Sequence, residues 1–401
     1  MIKDNFFGSP NISRYTLFTL LFQMGMAISL AAMPIYFKNE NAVSAYGVAY
    51  SVMAITGAFS FVYGLFVDRI GFSKALLFGV MLYGVALCMR VFTNPIIAVI
   101  TAIMAGLGAS VAILANRSWV LQISQTSNAN TTQLTAMRSM LGNISILLGT
   151  ALVSLAAYLF ESIYFYLLIL AGLLVFGSNY FAFQNYKIIK LEKTNKSSLQ
   201  RENIFKSEKI NFTIILFMFA NMLSGVYTGL FKPYLILMFV DYGVSEHKSI
   251  FIYLLTTLVS ILSGFYLLKY HHFMKNVPFS GFFIAMISLA FVFFAMFVGL
   301  RYNLGIWFLF FLVLSRSVFL SLSSSFEQVL EYELFNKATL AMALGLTQTS
   351  FLAGDALGSL VTSLWIDPKN IHDYAKICSY CSILVLFHMI ILFILKKYKK
   401  I

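Results

Sequence analysis

Twelve stretches of roughly twenty mostly apolar residues follow one another along this chain, at 15–37, 45–67, 75–93, 96–120, 136–159, 162–184, 211–231, 249–268, 278–299, 303–325, 338–364 and 377–395. A helix needs about 20 apolar residues to cross the hydrocarbon core of a bilayer, so each stretch predicts a membrane span. Runs of this length, without the ten-residue alternation of a membrane barrel, exclude a β-barrel. The expected fold class is an all-α polytopic membrane protein with twelve transmembrane helices in two pseudo-symmetric six-helix bundles. Of 401 residues, 60% are hydrophobic and 11% charged, against about 25% charged in a soluble domain. That balance excludes an ordinary soluble enzyme, a disordered chain and a secreted cysteine-stapled fold.

The charges give the orientation. An even number of spans puts both ends on one side. Eighteen of the 28 Lys and Arg then fall on the side of the termini, seven on the other side, and Arg117, Arg138 and Arg316 in or near spans. Basic residues concentrate on the cytoplasmic side of bacterial membrane proteins, so both termini are expected in the cytoplasm and the chain in the inner (cytoplasmic) membrane. The net charge of +13 follows this topology and does not call for nucleic acid. The first span is expected to be retained, since no cleavable leader is evident. The longest charged connection reads as a cytoplasmic linker at 185–210, between a first bundle at 1–184 and a second at 211–401.

The two halves carry traces of a repeat. Gly64, Arg69 and Lys74 recur as Gly264, Lys269 and Lys275; Arg117 recurs as Arg316; Leu141–Gly142 recurs as Leu344–Gly345. Related halves fit alternating access, in which two bundles rock about a site near the bilayer midplane. The competing explanation is chance likeness between glycine-rich helices.

Residues 64–74 read GLFVDRIGFSK. Gly64 would let helices approach closely, and Gly71 would allow a tight turn. Asp68, Arg69 and Lys74 would hold the cytoplasmic edge, either as a gate or simply as a topology-setting turn. The spacing resembles the GxxxD(R/K)xGR(R/K) loop of the major facilitator superfamily, with Phe72 and Ser73 where that family usually has basic residues. Gly106 and Gly108 look like the glycines of its fourth-helix motif, with Ala102 in place of the usual Arg. Arg138 and Asn143 resemble the start of the fifth helix in multidrug-type members; the helix's Pro is lacking.

The resemblance implies a cytoplasmic gate at Gly64, Asp68, Arg69, Gly71 and Lys74 and a central cavity. It also implies secondary transport by a protein without cofactor or metal, acting as a monomer in lipid. The expected activity is proton-coupled export of small amphiphilic compounds. The alternatives are an uptake carrier for an anionic metabolite or peptide-like solute, or a lipid flippase. No GxxxxGK[ST] nucleotide loop occurs, so an ion gradient would supply the energy. No catalytic constellation is evident, so the chain is not expected to be an enzyme.

Ionisable residues inside a membrane are expensive and mark functional sites by default. Arg117 and Arg316 are each followed by Ser and would bind an anionic or zwitterionic group, unless they serve as gate contacts or, for Arg117, snorkel to the interface. Asp355, within SFLAGDALGSL, is the acid set well inside a span. It would carry a coupling proton or substrate, or else a fixed salt bridge. Arg138, Gln23 and Asn143 complete the substrate or coupling candidates. Arg90 reads as an interface residue, Glu327 as at most a gate residue. Pro233, beside Tyr227 and Tyr234, predicts a break in the seventh span. Cys88, Cys378 and Cys381 form no disulfide framework, and the histidines show no metal-site arrangement.

Overall fold

The computed structural model describes residues 10–126, 131–160, 162–193, 212–269, 278–334, 340–365 and 370–399. Among them are fourteen α-helices: α1 (Pro10–Asn39), α2 (Val43–Ala58), α3 (Ser60–Ile70), α4 (Phe72–Met89), α5 (Pro95–Thr126), α6 (Thr131–Leu159), α7 (Tyr164–Lys193), α8 (Phe212–Phe231), α9 (Leu235–Asp241), α10 (Glu246–Lys269), α11 (Pro278–Arg301), α12 (Ile306–Leu334), α13 (Leu340–Trp365) and α14 (Ile371–Lys399). Ten of the described helical stretches are long and apolar enough to span a membrane, with α8 and α9 counted as one stretch.

Two expected spans differ from that set. The stretch at 45–67 is two helices, α2 and α3, because Phe59 between them has ψ of 19° and turns the chain out of α-helical geometry. The stretch at 338–364 is the continuous helix α13, but Gln348 and Asp355 lower its apolar character and it is not among the ten. The polar segment 125–133 is helical at both ends: α5 runs to Thr126 and α6 starts at Thr131. The seventh span does break at Pro233, where Lys232–Tyr234 forms a 3-10 turn between α8 and α9. Proline removes a helical hydrogen bond and crowds the preceding turn.

The chain divides into two compact units. One comprises Met1–Tyr36 with Phe59–Glu208, the other Phe37–Ala58 with Lys209–Ile401. Each repeats one internal pattern. In the first, α4 packs on α5 and α7; in the second, α11 packs on α12 and α14. In the first, α1 meets α6 at Gly149, whose Cβ position lies 2.9 Å from the Met24 carbonyl, and α7 at Gly25. In the second, α8 meets α13 and α14. This is the pseudo-symmetry that the sequence repeat predicts.

Small residues bring these helices together, as in membranes, where van der Waals contact replaces the hydrophobic drive. Gly79 and Gly108 face each other between α4 and α5, each with its Cβ position 2.9 Å from the other's carbonyl. Between α8 and α13 the arrangement is reciprocal: Gly225 and Gly229 on one helix, Gly354 and Gly358 on the other, each pair at four-residue spacing. A Cβ on Gly229 would stand 2.9 Å from the Asp355 Cα, and one on Gly358 would stand 2.8 Å from the Leu230 nitrogen. Among the described residues nothing lies within 4 Å of a Cβ on Gly64.

Aromatic rings fill the first unit. Trp119 on α5 stacks edge-on to Tyr15 with centroids 5.4 Å apart, and Phe22 meets Tyr83 at 5.6 Å. The outward face of α11 shows the converse, with Ile284, Ile287, Phe291 and Phe294 exposed at helical spacing, as a lipid-facing stripe requires. Arg90, near the end of its span, is 7% exposed, and its guanidinium donates to the Ser29 hydroxyl at 2.6 Å. Its place at the C-terminus of α4 also puts a cation against the negative end of that helix.

Candidate functional site

The second unit holds the charges that the sequence singles out most strongly. Asp355 sits on α13 and is 7% exposed. Its Oδ2 accepts a hydrogen bond from the Tyr50 hydroxyl of α2 at 3.2 Å, and its Oδ1 has no partner among the described residues. Lys232, at the start of the 3-10 turn, lies within electrostatic reach. The glycine crossing of α8 and α13 fixes the backbone on which this carboxylate is mounted.

Asp355 is one rung of a polar seam between α2 and α13. The hydroxyls of Ser51 and Ser359 share a hydrogen bond of 2.7 Å. Tyr46 donates to the Pro233 carbonyl at 3.0 Å, and Tyr234 donates to the Ser359 carbonyl at 3.3 Å. Gly47 makes the approach possible, since a Cβ there would overlap the Ser363 side chain and the Tyr234 hydroxyl. Proline frees the carbonyls of the preceding turn, and the Thr362 hydroxyl supplies one partner there, donating to the Leu230 carbonyl at 3.0 Å. In the last turn of α1, Lys38 is ion-paired with Asp241, whose other oxygen accepts from the Tyr374 hydroxyl at 2.6 Å.

Arg316 lies inside the same unit, on α12. It is 4% exposed, and its Nε and one terminal nitrogen have no hydrogen-bond partner among the described residues. Its guanidinium carbon stands 4.6 Å from the Phe231 ring centroid and 5.4 Å from that of Phe293. Ring faces return about 0.5–2 kcal/mol to a cation. Removing a charge from water costs several kcal/mol even after relaxation. Among the described residues no carboxylate pairs with it.

One buried group was missed at the sequence level. His388 on α14 is 0% exposed, and its Nε2 is 3.2 Å from a Glu327 carboxylate oxygen on α12. On its other side, His388 Nδ1 is 3.5 Å from the Tyr227 hydroxyl, which is 3.1 Å from the Ser224 hydroxyl. No spacing rule links Glu327 to His388. The only sequence signal was two ionisable residues inside apolar helices.

The remaining candidates are placed as follows. Gln23 on α1 and Asn143 on α6 are half-buried, and half-buried Arg138 acts electrostatically on the buried Tyr15 hydroxyl, near Thr19 and Asn116. The side chains of Arg117 and Asp68 lie outside the described residues. Arg69 and Lys74 are exposed, and Gly71, with φ of 85°, forms the one-residue joint between α3 and α4. That φ is left-handed backbone, which glycine adopts without a Cβ clash. Cys88, Cys378 and Cys381 are free thiols. Among the described residues no group of three or more His, Cys, Asp or Glu is placed to hold a metal ion.

No curated protein matches the chain in sequence. Solved structures match its fold throughout. The nucleoside transporter NupG is 15% identical, with a TM-score of 0.73, over 96% of this chain and 99% of that one. A peptide transporter POT in complex with sulfate is 14% identical, with a TM-score of 0.73, over 98% and 96%. A D-xylose-proton symporter is 12% identical, with a TM-score of 0.71, over 93% and 96%. The sequence profile of the Major Facilitator Superfamily matches residues 15–359. This multi-pass chain, with paired helix units and buried membrane charges, belongs to the Major Facilitator Superfamily and is a membrane transporter.

Proposed function

We propose that the protein is a proton-coupled uptake carrier for a small anionic or peptide-like solute. The observation that carries this reading is Arg316: a guanidinium enclosed by Phe231 and Phe293, with two nitrogens unpartnered. A fixed guanidinium fork matches a carboxylate in a bidentate pair. No acid among the described residues answers it as an ion pair. The solute's carboxylate is the missing partner.

The similar structures lend support of a coarser kind. They are named for nucleosides, for peptides and for D-xylose with protons, which are polar solutes rather than amphiphiles. Uptake of a polar anion therefore fits better than drug export. In this reading Asp355 is the latch of the α2–α13 seam: deprotonated it holds Tyr50, and a proton on it weakens that hold. Arg138, Gln23, Asn143 and Arg117 are the further candidates for contact with the solute or the coupling ion. The loop of Gly64, Asp68, Arg69, Gly71 and Lys74 acts as the cytoplasmic gate, with both termini on that side. The cycle is alternating access by a monomer.

The test is uptake into proteoliposomes under an imposed proton gradient, with labelled lactate, succinate and dialanine as probes. The reading predicts gradient-driven accumulation of at least one probe and its loss in Arg316→Ala. Exchange of protons for a cationic dye such as ethidium, with no uptake of any carboxylate, would overturn it in favour of export.

A further inference from the structure

We infer that Lys232 and Asp355 form a clamp for a zwitterion of the α-amino-acid type, with its ammonium on the free oxygen of Asp355 and its carboxylate on Lys232. The inference rests on the reading of the chain as an uptake carrier and adds the chemical class of the solute. Its two residues are distinct from Arg316.

Lys232 is the anomaly of the seventh span. Residues 227–239 are buried with one exception, and the exception is this lysine, which is exposed. It lies inside the membrane-crossing segment Phe212–Asp241, at the start of the 3-10 turn. A basic side chain within a span pairs with an acid or faces a water-filled cavity. Among the described residues Lys232 makes no ion pair.

Asp355 brings the opposite charge near without touching it. The two groups act on each other electrostatically, yet they stand outside ion-pair distance. The backbone holds them in this relation. A Cβ on Gly229 would stand 2.9 Å from the Asp355 Cα, so α13 lies against α8 at that point. Lys232 follows Gly229 by three residues, on the same side of the helix. The acid is thus fixed beside the turn from which the lysine departs.

Tyr50 donates to Oδ2 of Asp355 at 3.2 Å and leaves Oδ1, which is buried and has no partner among the described residues. A buried acceptor without a donor is costly. An ammonium supplies both the donor and a compensating charge. Because the ligand brings that charge with it, the empty site need hold no particular protonation state. A carboxylate on the same ligand meets the Lys232 ammonium in a second charge-assisted hydrogen bond. In an α-amino acid the two charged groups share one carbon, so a single short gap between acid and base accepts both. A simple amine is repelled by Lys232, and a hydroxy acid offers Oδ1 only a neutral hydroxyl. The pair therefore selects the zwitterion over either charge alone.

The test is binding to the full chain in detergent, read by calorimetry and as a thermal shift. L-alanine, lactate and isopropylamine are the probes, since each of the latter two changes one charged group of the first. Alanine is expected to bind the wild type. Its affinity is expected to fall about tenfold or more in Lys232→Gln and in Asp355→Asn, the scale of one hydrogen bond to a charged group. Lys232→Gln also gains affinity for isopropylamine, because the repelling charge is gone; Asp355→Asn does not. No alanine binding to the wild type, or alanine affinity unchanged in Lys232→Gln, overturns the clamp. The second result would mean that the lysine reaches the bilayer surface instead. Lactate binding that depends on Arg316 persists in both variants. Its absence overturns the Arg316 reading whatever alanine does. If Asp355→Asn does not fold, Lys232→Gln, altered at an exposed side chain, decides alone.

Discussion

The Tyr50 hydroxyl donates to Oδ2 of Asp355 at 3.2 Å, which joins a residue of the second apolar stretch to one of the eleventh. The other carboxylate oxygen has no partner among the described residues. Removing the donor leaves a buried acid without its one hydrogen bond. Tyr50→Phe is expected to cost about 1–3 kcal/mol, the usual penalty for orphaning a buried polar group. In an Asp355→Leu background the same change should cost much less. Unfolding midpoints of the two single variants and the double variant in detergent check the coupling.

Arg316 presents an unusual trade. A buried charge without a partner works against folding, and replacing buried ions by apolar groups is often neutral or stabilising by about 1–4 kcal/mol. Arg316→Met keeps a flexible apolar stem between Phe231 and Phe293 and removes the charge. The expected result is a protein at least as stable as the wild type that no longer accumulates carboxylates. A clear loss of stability would show that the charge is satisfied within the folded chain.

Gly47 is the narrowest point of the α2–α13 seam. Any side chain there must displace Ser363 and the Tyr234 hydroxyl. Overpacking of this kind costs about 1–3 kcal/mol. Gly47→Val is expected to open the seam and expose Ser51, which is buried here against Ser359. Maleimide labelling of Ser51→Cys, with and without Gly47→Val, gives the readout: labelling rises in the double variant.

Asp241 serves two partners at once, Lys38 and Tyr374. Asp241→Asn keeps an acceptor for the tyrosine and loses the charge. Asp241→Ala loses both. The alanine variant is expected to be less stable by about 1 kcal/mol than the asparagine variant, the net worth of one hydrogen bond. Paired unfolding curves measure the difference.

Much of the helical framework can be read directly from the sequence, because apolar length in a membrane protein leaves few choices. The breaks are legible where chemistry forces them, at Gly71 with its positive φ and at Pro233. The break at Phe59 is not, since Phe59 carries no breaker chemistry of its own. Asp355, Ser359 and Ser363 follow each other at four-residue spacing, as do Gly47 and Ser51, so each polar face could be drawn on its own helix. What no spacing supplies is the register of one face against the other, which depends on contacts distant in sequence. The same limit hid His388, whose partners Glu327 and Tyr227 come from two other helices. The Ser29 hydroxyl that accepts from Arg90 likewise comes from another helix, so no local spacing points to it.

The four glycines between α8 and α13 have a mechanical consequence. Backbone lies directly on backbone at Asp355, with no intervening side chains to slide or re-pack. The two helices thus behave as a welded strut, and Asp355 cannot travel independently of α8. Separation of Tyr50 from that carboxylate must come from displacement of α2 or from rotation of the two side chains. The seam opens like a zip whose fixed tape is the strut.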